Sequence, residues 1–172
     1  MALTEPPLYE RDPDAWNALL VEANRTQPRK RVAADVLFRD ETGRILLVDP
    51  TYKPGWDLPG GMAEANEPPL DAAIREVREE LSLDYRGGPL LVVEWVAPHG
   101  PWDDSLIFVF DGGVLNIEQQ AAIRLGDGEL RDVCFVTEKK ARGLLRPDVW
   151  LRVTEALDAP YPRRARYMQS QE

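Results

Sequence analysis

One cysteine, Cys134, stands in 172 residues, so no disulfide can form within the chain and a cross-linked secreted scaffold is excluded. It lies in the apolar run Asp132 to Val136, where it reads as a core residue in a protein of a reducing, cytoplasmic compartment. No run approaches the ~20 apolar residues of a membrane span. The first residues, MALTEPPLYERDPD, lack the basic start and apolar stretch of a secretory signal. Positive charge is also scarce: 21 Lys and Arg face 30 Asp and Glu, for a net charge of -9. Non-specific nucleic-acid binding needs cations to neutralise phosphates, so this balance argues against it. It leaves room for a small phosphorylated ligand, because a bound divalent metal inverts the local field.

What is present fits one globular domain with a real core: 44% hydrophobic and 30% charged residues, with no linker or internal repeat. Residues 1–11 form a proline-broken arm. Asp12-Pro13 caps a helix carrying Trp16, Leu19, Leu20 and Ala23, which ends before Pro28. Residues 1–28 are therefore read as an arm and helix, 29–158 as the domain, and 159–172 as a mobile basic tail. Arg31 to Arg39 alternates as a strand, with Val32, Ala34, Val36 and Phe38 on one face. The other face carries Arg31, Asp35 and Arg39, and can line a polar cleft. A turn at Asp40 to Gly43 returns Ile45 to Val48 as a hairpin partner. Further strands are expected at Leu90 to Val96, Ser105 to Asp111 and Leu130 to Val136. The loops between them are Ala97 to Asp104 and Asn116 to Gly128. Thr137 caps a helix to about Leu145, and Pro147 opens a last one. Strands with helices inserted and appended predict a mixed sheet with helices packed on it.

The stretch with most chemical content is Gly60 to Leu83, GGMAEANEPPLDAAIREVREELSL. A helix starts near Pro68, with Asn66 or Glu67 as candidate caps. Leu70, Ala73, Val77 and Leu81 share its apolar face. Glu76, Glu79 and Glu80 gather three carboxylates within about one turn. Like charges at such spacing cost about 0.2–0.5 kcal/mol per pair, so the cluster suggests a cation that offsets them. A solvated acidic face, with Arg75 and Arg78 as ion-pair partners, is the plainer account of the carboxylates alone.

The spacing from the glycines adds more. Gly61, Glu67, Arg75-Glu76-Val77, Glu79-Glu80 and Leu83 resemble the Nudix box. Only Ser82 departs from it, standing where the family has a closing glycine. The lead-in Trp56 to Gly61, WDLPGG, is similar as well. The resemblance implies an α/β/α sandwich around a mixed β-sheet. It also implies hydrolysis of a nucleoside diphosphate linked to another moiety, with Mg²⁺ or alternatively Mn²⁺. Mg²⁺ takes hard oxygen ligands and lowers the pKa of bound water. By resemblance, Glu76, Glu79 and Glu80 bind metal with the carbonyl of Gly60 or Gly61. Arg75, counted with the three glutamates as catalytic, joins Glu67 in holding loop to helix and orienting Glu76. Gly61 supports the site by allowing close backbone approach.

Glycine would suit a left-handed residue at the helix end, so Ser82 is expected to alter that end's geometry without touching a ligand role. The general base is a box glutamate or a distal acid, with Glu118, Asp127 and Glu129 as loop candidates. Arg39, Trp95 and His99, the only histidine, are candidate substrate contacts, and Trp102 is a second ring able to stack on a nucleobase. Pro98, fifteen residues after Leu83, resembles a mark of ADP-ribose-cleaving members, which tilts the reading toward ADP-ribose or nucleotide sugars. The alternative is a Nudix-fold nucleotide-binding or regulatory module without catalysis. A prenyl diphosphate isomerase would call for a cysteine near the site, and Cys134 sits in a late strand. The expected partner is a small nucleoside diphosphate derivative, with a homodimer left open.

Overall fold

The computed structural model describes residues 5–126, 128–158 and 165–170. Its strands are β1 (Arg31–Asp40), β2 (Ile45–Pro50), β3 (Gly60–Met62), β4 (Leu90–Val96), β5 (Ser105–Leu115), β6 (Leu130–Val136) and β7 (Arg166–Ser170). Its helices are α1 (Leu8–Arg11), α2 (Pro13–Thr26), α3 (Pro69–Leu81), α4 (Ile117–Ala122), α5 (Glu138–Leu144) and α6 (Pro147–Leu157). One mixed sheet runs in the order β6-β2-β1-β5-β4-β7, with β3 also paired to β1. β1 is parallel to β5 and antiparallel to β2 and β3.

Two cores lie on the two faces of this sheet. Ala34, Val36 and Phe38 of β1 pack with Ala73, Val77 and Leu81 of α3. Leu37, Leu47 and Val109 pack with Val149, Val153 and Ala156 of α6. β1 is thus buried on both faces at its middle, as a central strand parallel to its neighbour requires. The layers are helix, sheet, helix: the expected sandwich. Cys134 on β6 packs half-buried against the second core.

Four sequence expectations change. The polar stretch after Asn116 contains α4, opened by a reciprocal capping box in which Gln119 N–H donates to Asn116 Oδ1 and Asn116 N–H to Gln119 Oε1. Part of the segment read as a mobile tail, Arg166–Ser170, adds to the sheet as an edge strand parallel to β4. The third is at α3. Its N-cap is Pro68 with no side-chain cap, because Glu67 is held by Arg75 and Asn66 lies in a left-handed turn at φ 65°.

The C-terminal end of α3 differs from expectation too. Ser82 does adopt the left-handed conformation, φ 56° and ψ 27°, so the geometry a glycine would give is kept. Ser82 N–H closes on Arg78 O, while Arg124 N–H and Gly126 N–H donate to Leu81 O and Glu80 O. These bonds satisfy carbonyls that a helix end leaves orphaned, and they hold serine in a conformation that costs it about 1 kcal/mol. At the other extreme of the chain, α1 and α2 meet each other, with Tyr9 edge-on to Trp16 at 6.3 Å, and neither helix has a buried residue. Among the described residues no helix is long and apolar enough to cross a membrane.

Candidate active site

β3 carries the two glycines across the middle of β1, with Asp35 opposite Gly60 and Ala34 opposite Gly61. Gly60 has φ +142°, and a Cβ there would lie 2.2 Å from Ala34 O. A Cβ on Gly61 would lie 2.5 Å from Glu76 Oε1. The box therefore needs glycine for two separate reasons, backbone conformation at one and the seat of a carboxylate at the other.

α3 presents its acidic residues to this strand. Glu80 is 4% exposed, and its Oε2 accepts Gly60 N–H at 2.9 Å. Burial pushes its carboxyl up to about 8, against the Gly60 bond, with Glu76, Asp35 and Glu129 adding repulsion. Burial also raises Glu76, against the pull of Arg75. Asp35, on the floor of the same region, is pushed up to about 7, first by burial and then by Asp57. In all three groups burial is the first cause of the rise, and repulsion between carboxylates adds to it.

Arg75 is the organising cation. Its Nε and Nη2 grip the two oxygens of Glu67, both at 2.9 Å, and Nη2 also reaches Met62 O. Its Nη1 donates to Glu76 Oε1 at 2.8 Å and Glu79 Oε2 at 3.0 Å. Glu67 in turn accepts Glu64 N–H, and the Arg75 fork holds its carboxyl down at about 2. One guanidinium thus ties β3, the loop and α3 together. Among the described residues no three His, Cys, Asp or Glu side chains stand grouped as a ready-made metal cage.

Three adjoining hollows make one cleft. The first, about 560 Å³, is lined by Gly60, Gly61, Glu76, Glu80, Tyr52 and Glu129. The second, about 250 Å³, shares Gly60 and Glu80 and adds Lys53, Asp57, Arg146 and Arg152. The third, about 560 Å³, shares Arg146 and Arg152 and continues to Arg31, His99 and Trp102. Glutamates stand at one end, Lys53, Arg146 and Arg152 stand with Asp35 and Asp57 in the middle, and an aromatic ring stands at the far end. Lys53 donates to Asp57 at 2.7 Å. Arg152, itself buried, pairs with fully buried Glu94 and lies 3.7 Å from Asp35.

The sequence-based candidates divide. Gly60, Gly61, Glu76 and Glu80 come together in the first hollow, and Glu129 joins them. Glu79 shares Arg75 but faces outward, its side chain 52% exposed, and lines none of the hollows. His99 lines the third hollow; its Nδ1 donates to Ala97 O, which leaves Nε2 as the acceptor of the neutral ring. Trp95 does not line it, and gives its indole N–H to Asp104 at 2.7 Å, tying down the Ala97 to Asp104 loop. Arg39 stands at the hairpin end of β1, bonded to Asp111 at 3.1 Å and away from the cleft. Glu118 is exposed on α4, and Asp127 lies outside the described residues. Lys53, Arg146 and Arg152 escaped sequence reasoning. Two sit on loops and one on a late helix, and only the mixed sheet brings them to β3.

Comparison with known proteins agrees with this picture. A profile of the NUDIX domain matches residues 29–163. A nucleoside triphosphate pyrophosphatase/Nudix hydrolase fusion protein of Bifidobacterium longum is 28% identical over 108 residues, 60% of this chain and 21% of that one. A putative 8-oxo-dGTP diphosphatase of Bacillus subtilis is 45% identical over 47 residues, 27% of this chain and 32% of its own length. The chain thus spans a third or less of these curated relatives. Among solved structures, a MutT protein from Methanosarcina mazei Go1 aligns with TM-score 0.62 at 23% identity, covering 77% of this chain and 99% of that one. A UDP-X diphosphatase aligns with TM-score 0.67 at 17% identity, covering 90% and 74%. At these identities the structural likeness speaks for the fold. With the matched domain spanning most of its length, the chain belongs to the Nudix family.

Proposed function

We propose that the chain is a divalent-metal-dependent hydrolase of phosphoric anhydrides, cutting the diphosphate bridge of a nucleoside diphosphate linked to another moiety. The observation that carries this is the pairing of Glu76 and Glu80 in one hollow with the backbone of Gly60 and Gly61, at the mouth of a row of cations. These donors fit Mg²⁺. They are hard oxygens, they lie beside a close-packed glycine strand, and Glu80 is held at a raised pKa that a cation would relieve. When bound, the metal neutralises the diphosphate and supplies an activated water.

The chain's own groups do the rest. Gly60 N–H orients Glu80, and Arg75 orients Glu76 while Glu67 fixes Arg75. Lys53 and Arg146 lie along the cleft where diphosphate oxygens would run. Glu129 enters the first hollow from the start of β6 and is the loop acid placed to take a proton from the attacking water. Glu79, exposed beside Glu76 and bonded to Arg75, would be the third carboxylate available to hold the metal.

ADP-ribose or a nucleotide sugar is the favoured substrate class. Pro98 is the feature that supports it; solved proteins of the same fold include an ADP-ribose pyrophosphatase and a UDP-X diphosphatase, each 17% identical. The test is a panel of nucleoside diphosphate compounds assayed with Mg²⁺ and with Mn²⁺, wild type beside Glu80→Gln. Metal-dependent release of a nucleoside monophosphate, lost in Glu80→Gln, is expected. No turnover of any compound would leave a binding module instead.

A further inference from the structure

The far end of the cleft holds an arrangement that metal chemistry does not use. Trp102 lines the third hollow and is 54% exposed. The Arg31 guanidinium lies over its ring, 4.7 Å from the centroid. Both partners are held in place. Arg31 Nη2 donates to Asp103 O at 2.7 Å. His99 N–H donates to Trp102 O at 3.0 Å, and Trp102 N–H to His99 O at 2.9 Å, closing the loop tip as a small two-way bridge. Asp104 then anchors the loop by accepting from Lys30 and from the Trp95 indole.

Each bond removes a freedom the indole would otherwise lose on binding a ligand. A tryptophan kept only to cover Arg31 has no need of a place on the wall of a cavity that continues into the cation-lined cleft. Arg31 Nε is buried here without a hydrogen-bond partner. A buried lone donor is unfavourable, so Arg31 is held where it is at some expense to the fold.

Resting on the hydrolase reading above for the course of the diphosphate, we infer that the Arg31–Trp102 stack is the platform on which the substrate's nucleobase lies. A flat ring would stack on the open indole surface while its phosphates run past Arg146 toward Glu76 and Glu80. Substrate selection then requires an aromatic base, and a diphosphate lacking one loses this contact. Stacking on an aromatic side chain is sequence-tolerant, because every base offers a π-face. Trp102 accordingly sets the demand for a base, and leaves the choice among bases to other groups.

The experiment compares equilibrium binding of AMP and of ribose 5-phosphate, neither of which carries a diphosphate to cut, by calorimetry in the presence of Mg²⁺. Wild type should bind AMP about ten- to a hundredfold more tightly than ribose 5-phosphate. Trp102→Ala should erase that ratio with ribose 5-phosphate binding unchanged, and Trp102→Phe should retain most of it. An undiminished ratio in Trp102→Ala, or equal affinities in wild type, overturns the platform. Because no turnover is read, a base-dependent ratio in a protein that hydrolyses nothing supports the platform while removing the hydrolase reading.

Discussion

Replacing Glu80 by glutamine separates two things that one carboxylate does. The side chain is 4% exposed, and its Oε2 accepts Gly60 N–H at 2.9 Å. Glutamine matches the shape and keeps an oxygen for that bond, but it carries no charge. In wild type the folded-state pKa is raised from 4.5 to about 8. Folded protein therefore holds this proton more tightly than unfolded protein. Stability is greatest below the unfolded value, falls as pH rises through the interval between the two, and the loss is complete above about 8.

At about 1.4 kcal/mol per tenfold change in proton affinity, that interval is worth at most about 5 kcal/mol. Water entering the cleft reduces it, and roughly 2–4 kcal/mol is the expected loss. The assay is urea denaturation of metal-free wild type and Glu80→Gln at pH 5 and pH 9. Asp35 and Glu76 titrate in both proteins, so the difference between the curves reports the Glu80 charge together with its repulsion of those two neighbours. Wild type should lose about 2–4 kcal/mol more than the variant on going to pH 9. Mg²⁺ should restore wild type and leave the variant unmoved, while turnover in the variant falls by orders of magnitude with the fold intact. Parallel pH curves would refute the buried-charge argument. Equal Mg²⁺ stabilisation of both proteins, or full Mg²⁺-dependent activity in the variant, would refute the metal role.

Three further outcomes are expected. Gly61→Ala sets a Cβ at 2.5 Å from Glu76 Oε1, so the carboxylate must move; metal affinity by calorimetry should fall about 10- to 100-fold with the thermal transition largely preserved. Arg152→Met leaves Glu94 buried without its cation, one oxygen of which already lacks a hydrogen-bond partner; urea denaturation at neutral pH should show a loss of about 3–5 kcal/mol. Ser82→Gly relieves a left-handed serine that no ligand role depends on; stability should rise by about 0.5–1 kcal/mol, with activity little changed.

Much of the architecture was legible because local signals agreed with the tertiary outcome. The apolar positions of α3 are those that pack beneath β1, and the alternation from Arg31 marks a strand, although Ala34 to Phe38 at its middle are buried on both faces. β4 and β6 match their expected bounds, since breakers flank both. α4 was missed although Asn116 and Gln119 spell its capping box, because a six-residue helix with no buried residue leaves no periodic stripe to read. β7 was missed for a different reason: an edge strand is recruited by the open side of β4, and that opening is a property of the sheet.

The candidate site divides along the same line. Gly60, Gly61, Glu67, Arg75, Glu76 and Glu80 lie within one short strand, the loop after it and one helix, a single local stretch whose spacing is legible. The sequence by itself therefore determined the family, the sandwich and the carboxylate-lined half of the cleft. Tertiary structure decided the other half. It placed Glu79 outward and gave Arg39 to Asp111, though both had been read as site residues. It also brought Lys53, Trp102, and Arg152 of α6 with Arg146 at its N-cap to the same groove from three separate segments. The physical reason is range: helix periodicity acts over a few residues, whereas convergence across the sheet depends on strand order and register, which no local pattern encodes.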